Sequence, residues 1–196
     1  MSDNIYQPPQ SEVDISQESH QPFYVVSKQK FWILFAATFG IYSLYWFYQH
    51  WRQYKRFTGT SIWPVPRAIF SVFFAHSLFR SIRNMADEQG YSPPISPGLL
   101  ATIYVVFSLL SNGADRAAAR DIGSPFSDVV SFFTIWVVGS VLYQVQKAAN
   151  AASKDPGGET NSVLTAVNII WIVLGVIFWI LMLIGIYTII TYTGFE

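Results

Sequence analysis

The residues best equipped for chemistry are scattered. His20, His50 and His76 are far apart and lack the one-turn spacing of an HExxH zinc site. Asp87 and Glu88 are neighbours, so on a helix they point about 100° apart, a poor geometry for paired carboxylates. "DPGGET" at 155–160 carries two glycines but no Lys-Ser or Lys-Thr after them, and reads as a turn rather than a phosphate loop. Ser124 in "IGSPF" lacks the flanking glycines of a nucleophile elbow. Cysteine is absent, which removes disulfides and thiolate ligands. These spacings predict no catalytic residue, no metal site and no cofactor, and hence no enzyme.

What elements hold such a chain? Twelve basic and twelve acidic residues leave no net charge, which argues against a nucleic-acid ligand. Only 12% of residues are charged, about half the share usual in soluble domains. The charges are missing from long stretches: 31–48, 89–114, 129–146 and 160–195. Roughly twenty helical residues cross a hydrocarbon layer about 30 Å thick. The fold class expected is therefore all-α: an integral membrane helical bundle with four spanning helices, near 31–49, 97–114, 128–147 and 163–191. One short interfacial or half-inserted helix is expected near 67–84. This multi-pass domain covers 23–196, behind a disordered polar tail at 1–22, and Ser27 is the expected N-cap of its first helix.

In "GIYSLYWFYQHWRQYKRF", Tyr42, Tyr45, Tyr48, Trp51 and Tyr54 recur every third residue, followed or interleaved by Arg52, Lys55 and Arg56. Steps of three fall about 60° short of a turn, so the rings wind around the helix. That predicts an interfacial belt at the exit of the first span, with the cations meeting anionic headgroups. Over 67–84 the polar residues spread around the helical wheel and the apolar centre is short, so no crossing is expected there. His76 and Arg80 are one turn apart and are candidates for a lipid phosphate.

With four spans, eight basic residues lie on the side of 51–97 and 147–162, against Lys28, Lys30, Arg116 and Arg120 opposite. The bias predicts both termini outside the cytoplasm. The expected spans hold no ionisable residue, which weighs against ion-coupled transport. Their polar groups, Gln144 and Asn168 among them, are expected to hydrogen-bond between helices. Gly139, Ser140, Gly175 and Gly185 are small notches where helices, or a partner, pack closely. Together with Asn168 they form the candidate packing or partner-contact set.

"FYVVSKQKFWIL", "FGIYSLYWFYQHWRQYK" and "RAIFSVFFAHSLF" resemble a family of bacterial multi-pass membrane proteins known as a domain of unknown function. The resemblance is clearest over 23–84. It implies the bacterial inner (cytoplasmic) membrane and brings no activity or catalytic residues. Two functions are expected from different classes. One is a non-enzymatic protein acting by binding, in its sharpest form an immunity protein against a membrane-targeting toxin, by analogy alone. The other is transport or sensing of a small molecule or lipid. Membrane lipids are expected partners in both, with a toxin or another membrane protein in the first and no nucleic acid in either.

Overall fold

Ser27 opens the first helix as its position suggested: its hydroxyl accepts from the Lys30 N–H. The computed structural model describes residues 21–120, 122–123 and 126–193. Apart from Gln21 and Pro22, the tail expected at 1–22 lies outside them, as does Ser124. Among the described residues there are seven α-helices and no strand. They are α1 (Lys28–Ala37), α2 (Tyr42–Thr58), α3 (Pro64–Ile69), α4 (Ser71–Glu88), α5 (Pro97–Ala118), α6 (Phe126–Ala152) and α7 (Ala166–Thr193).

Three helices are long and apolar enough to cross a membrane: Pro97–Ala118, Val129–Ala152 and Ala166–Gly185. The first expected span, 31–49, is not one helix. α1 ends at Ala37, and the backbone turns left-handed at Phe39 (φ 50°) and Gly40 (φ 81°). Thr38 serves both sides of the break, its hydroxyl donating to the Leu34 carbonyl at 2.8 Å and accepting from the Tyr42 N–H at 3.0 Å. A left-handed Phe is strained. Its ring is held in place by stacking on Trp179 at 4.1 Å and by an edge contact with Phe178.

The break reverses the chain. At the start of α1, Val26 is bonded to Asn150; near its end, Phe35 packs into the Gly139 notch and Gly40 abuts Ile135. Returning along α2, Trp46 and His50 both reach Gln146, and Tyr54 stacks on Phe23. Segment 28–58 is thus a helical hairpin laid along 135–150 of α6, a stretch that rises about 22 Å.

The helix expected over 67–84 is also two helices, α3 and α4, separated at Phe70 (φ −96°, ψ 37°). A wheel drawn across that break mixes two registers. Taken alone, α4 is cleanly amphipathic: Ala75, Leu78, Phe79, Ile82 and Ala86 are buried, while His76, Arg80, Asn84 and Asp87 are exposed. It packs on α5 and α6. The core lies where α2, α4, α5 and α6 meet, with Trp46, Phe47, Phe79 and Tyr104 in mutual ring contact. By contrast α7 touches the rest mainly through Gly175, Trp179 and the half-buried Ile172, and most of its other described large apolar side chains are exposed. Such a helix is at home only in an apolar solvent.

Candidate ligand site

Residues 23–26 run extended into α1, so their peptide groups need partners from elsewhere. The last turns of α6 supply them from a polar stripe one and two turns apart. Gln146 donates to the Tyr24 carbonyl at 2.8 Å. Asn150 accepts from the Val26 N–H at 3.2 Å and donates to the Val26 carbonyl at 3.0 Å. Ser153 donates to the Phe23 carbonyl at 3.2 Å. From the other side Asn161 donates to the Val25 carbonyl at 2.7 Å. Gly158 (φ 70°) sits so close that a Cβ there would lie 2.4 Å from the Val26 oxygen.

The "DPGGET" segment is the turn it was expected to be. Its Asp155 carboxylate accepts from the Glu159 and Thr160 N–H groups and from the Thr160 hydroxyl, which brings Asn161 to the extended segment. Gln146 also organises the core, its Oε1 accepting from Trp46 at 2.5 Å and from His50 Nε2 at 3.2 Å. His50 lies fully buried among Phe23, Tyr24 and Trp46. Desolvation pushes its pKa down to about 3, against which the Gln146 bond acts in the opposite direction.

Lys30 is 3% exposed. Its ammonium donates to Asn161 Oδ1 at 2.6 Å and to the Val163 carbonyl at 2.7 Å, both neutral oxygens. Burial holds its pKa below the ordinary lysine value. Lys30 forms one wall of a polar cup of about 420 Å³, whose lining includes Arg52 and Arg56 from α2, Gln49, Gln53 and Asn161, and, among the described residues, no carboxylate. Gln53 Oε1 is buried in this wall without a hydrogen-bond partner.

Directly beneath the cup an apolar groove of about 740 Å³ runs between α1, α2, α3 and α7, lined by Leu34, Thr38, Ile41, Leu44, Val167 and Trp171 among others. Tyr45, Thr165 and Asn168 line both spaces. From Lys30 in the cup to Thr38 in the groove, α1 descends about 12 Å. A cationic polar space and an apolar one thus lie side by side. Together they match the two halves of an amphiphile.

The expected belt is divided. Tyr42 and Trp51 are core residues, 6% and 1% exposed, and the Arg67 guanidinium covers Trp51 at 4.4 Å. Tyr48 and Tyr54 are half-buried and Tyr45 is exposed. The buried face of α2 runs in fours, Tyr42–Trp46–His50 and Phe47–Trp51, which a search in threes passes over. Arg52 and Arg56 meet in the cup; Lys55 is exposed in the last turn of α2.

The notches are used internally. A Cβ on Gly139 would strike the Phe35 ring at 2.5 Å, and one on Gly175 would fall 1.9 Å from the Ala37 carbonyl oxygen. Ser140 bonds back to the Trp136 carbonyl, and Gly185 has nothing within 4 Å. Asn168 does not reach Gln144 or another helix. It forms a reciprocal cap with Thr165, accepting the Thr165 N–H and donating its own N–H to the Thr165 hydroxyl. His76 approaches Thr102 at 3.3 Å and, with Arg80, lies on the exposed face of α4, away from the cup.

Sequence reasoning missed Lys30, Gln53, Gln146, Asn150 and Asn161. The signal for two of them was present, an i, i+4 amide pair closing an apolar helix. Among the described residues no group of three His, Cys, Asp or Glu could hold a metal ion. Compared with models of known families, with curated proteins and with solved structures, the chain matches none.

Proposed function

We propose that this chain is a non-enzymatic, multi-pass membrane protein that acts by binding a membrane amphiphile in the groove between its helical hairpin and α7. The observation that carries this reading is the adjacency of cup and groove, which share Tyr45, Thr165 and Asn168 in their linings. A soluble metabolite has no use for the apolar half, and an oil has none for the polar half.

In this reading the membrane is crossed by α5, α6 and α7, and the hairpin enters and leaves on one side. That reduces the four expected crossings to three. The break at Phe39 and Gly40 supports it, as does the depth of the tip: Gly175 and Trp179, which meet Ala37 and Ala36, lie about 14 and 20 Å below the start of α7. The charge supports it further. Lys28, Lys30, Arg52, Lys55, Arg56, Arg67, Arg80, Arg83, Lys147 and Lys154 then share one side, against Arg116 and Arg120 on the other. This is a sharper bias than four spans produce, and it puts the start of α1 in the cytoplasm. A bacterial inner membrane is the location in which that rule applies directly.

Binding of another membrane protein, a toxin included, is the second reading. It was motivated by free notches, and Gly139 and Gly175 are filled by Phe35 and Ala37. What favours it is the bare outer face of α7 around Gly185.

The amphiphile reading is tested by filling the groove. Ile41 is exposed, lines it and has no part in the core, so Ile41→Trp should block the site while leaving insertion intact. Lipid carried through purification in a mild detergent, counted by native mass spectrometry, should fall in the variant. Equal lipid retention in both proteins would reject the reading. Protection of a sensitive cell by expression of the chain, unaffected by Ile41→Trp, would favour the second.

A further inference from the structure

We infer that the cup selects an anionic phosphate headgroup, so that the ligand is an acidic phospholipid with its phosphate at Lys30, Arg52 and Arg56. The inference rests on the amphiphile reading and names the class of ligand.

The first observation is charge without a counter-ion. The cup gathers Lys30, Arg52 and Arg56, and among the described residues no Asp or Glu contributes to its lining. Arg83–Asp87, the salt bridge seen among the described residues, lies on α4, away from the cup. A cation taken from water is expensive unless an anion compensates it. Lys30 is almost completely buried and bonded only to an amide oxygen and a carbonyl. Those bonds aim its ammonium without neutralising it. An ammonium has three protons to donate, so one remains for a ligand oxygen.

The second observation concerns the wall. Gln53 Oε1 is buried with no partner. A buried acceptor left unmade costs free energy; the atom has no exposed surface in this geometry, so a ligand hydroxyl would reach it after a rotation of the Gln53 side chain toward the cup. A phosphate flanked by a headgroup hydroxyl, as in a glycerol-bearing phospholipid, meets both demands. A choline phospholipid carries the same phosphodiester, but its quaternary ammonium would face three cations and donates no proton.

The third observation chooses between a lipid and a free phosphate, which share this chemistry. The cup adjoins the apolar groove, the two sharing Tyr45, Thr165 and Asn168 in their linings, and the groove reaches Thr38, about 12 Å along α1 from Lys30 in the cup. Arg52 and Arg56 stand one turn apart on α2, about 10 and 16 Å along the helix from Tyr45, so the headgroup would lie in the cup and the acyl chains in the groove. Two guanidiniums and one ammonium can share the two non-bridging oxygens of a phosphodiester, each of which accepts more than one hydrogen bond.

The experiment uses the full chain in neutral detergent, offered phosphatidylglycerol or phosphatidylcholine with identical acyl chains, and inorganic phosphate separately. Retained lipid is counted by native mass spectrometry. The wild type should hold phosphatidylglycerol about thirtyfold better than phosphatidylcholine, and Arg52→Gln and Arg56→Gln should each reduce that preference about fivefold. Lys30→Gln should do the same; since Lys30 also ties α1 to Asn161, the two arginine variants keep the test independent of folding. Ile41→Trp should lose both lipids. Equal retention of the two lipids, unaltered by the arginine variants but abolished by Ile41→Trp, would overturn the headgroup inference and leave the groove reading standing. Lipid loss in neither Ile41→Trp nor the arginine variants would overturn both. Inorganic phosphate binding unchanged in Ile41→Trp, with no lipid retained, would make this a site for a soluble anion and reject the phospholipid.

Discussion

The side chain of Asn150 takes both backbone groups of Val26, accepting its N–H at 3.2 Å and donating to its carbonyl at 3.0 Å. An amide used this way stands in for a neighbouring β-strand. It lets an extended segment run into the mouth of a helical bundle without leaving its peptide groups unpaired. The cup depends on that pairing, because Tyr24 and Val25 line it together with Asn161.

Asn150→Leu should therefore destabilise the protein by about 3 kcal/mol, since it strips a buried N–H and a buried carbonyl of their partners at once. Thermal melting in detergent measures the loss. Limited proteolysis should show new cleavage within 23–27, and a variant that melts and resists cleavage like the wild type would refute the role.

Gly175→Ala should detach α7 from the hairpin, because its Cβ would fall 1.9 Å from the Ala37 carbonyl oxygen, which is backbone and cannot swing away. The stack of Phe39 on Trp179 and the Trp179 N–H bond to Ala36 would be lost with it. Gly185→Ala, with nothing within 4 Å, is the matched control and should be neutral. A crosslink between cysteines placed at Ala36 and Trp179 would report the separation; equal crosslinking with and without Gly175→Ala would contradict this packing.

The chain contains no cysteine, so single cysteines can map sidedness with an impermeant reagent. Cysteines at Pro22 and Gly90 should be protected in intact cells, and those at Gly123 and Thr193 should be labelled. Labelling at Pro22 together with protection at Gly90 would mean that the hairpin crosses after all, restoring four spans.

His50 gives a pH signature. Its folded pKa is about 3, against about 6.5 in the unfolded chain. Between those values the unfolded state binds a proton that the folded state refuses, so stability is full above about pH 6.5 and falls as pH drops below it, by about 1.4 kcal/mol per unit. The unbonded Nδ1 explains the refusal, since a proton there would find no acceptor among Phe23, Tyr24 and Trp46. Denaturation between pH 7 and pH 5 should show a loss of about 2 kcal/mol that His50→Phe largely removes. Parallel pH profiles for the two proteins would exclude His50 as the source.

Hydropathy and charge along the chain determined that it is helical, that α5, α6 and α7 are long and apolar enough to cross a membrane, that Ser27 caps a helix and that 155–160 turns. These are local properties, carried by residues close in sequence. Tertiary structure decided what became of 31–49 and of the notches. A hairpin with both arms immersed is as free of charge as a single crossing, so counting charges cannot tell the two apart. The difference lies in two left-handed residues, and Phe39 holds that conformation against Trp179 and Phe178, which lie far along the chain. The cup has the same character. Lys30, Arg52 and Asn161 belong to three separate segments, and only the reversal at Gly40, with the extended segment 23–26 pinned by Asn150, brings their charges and dipoles to one place.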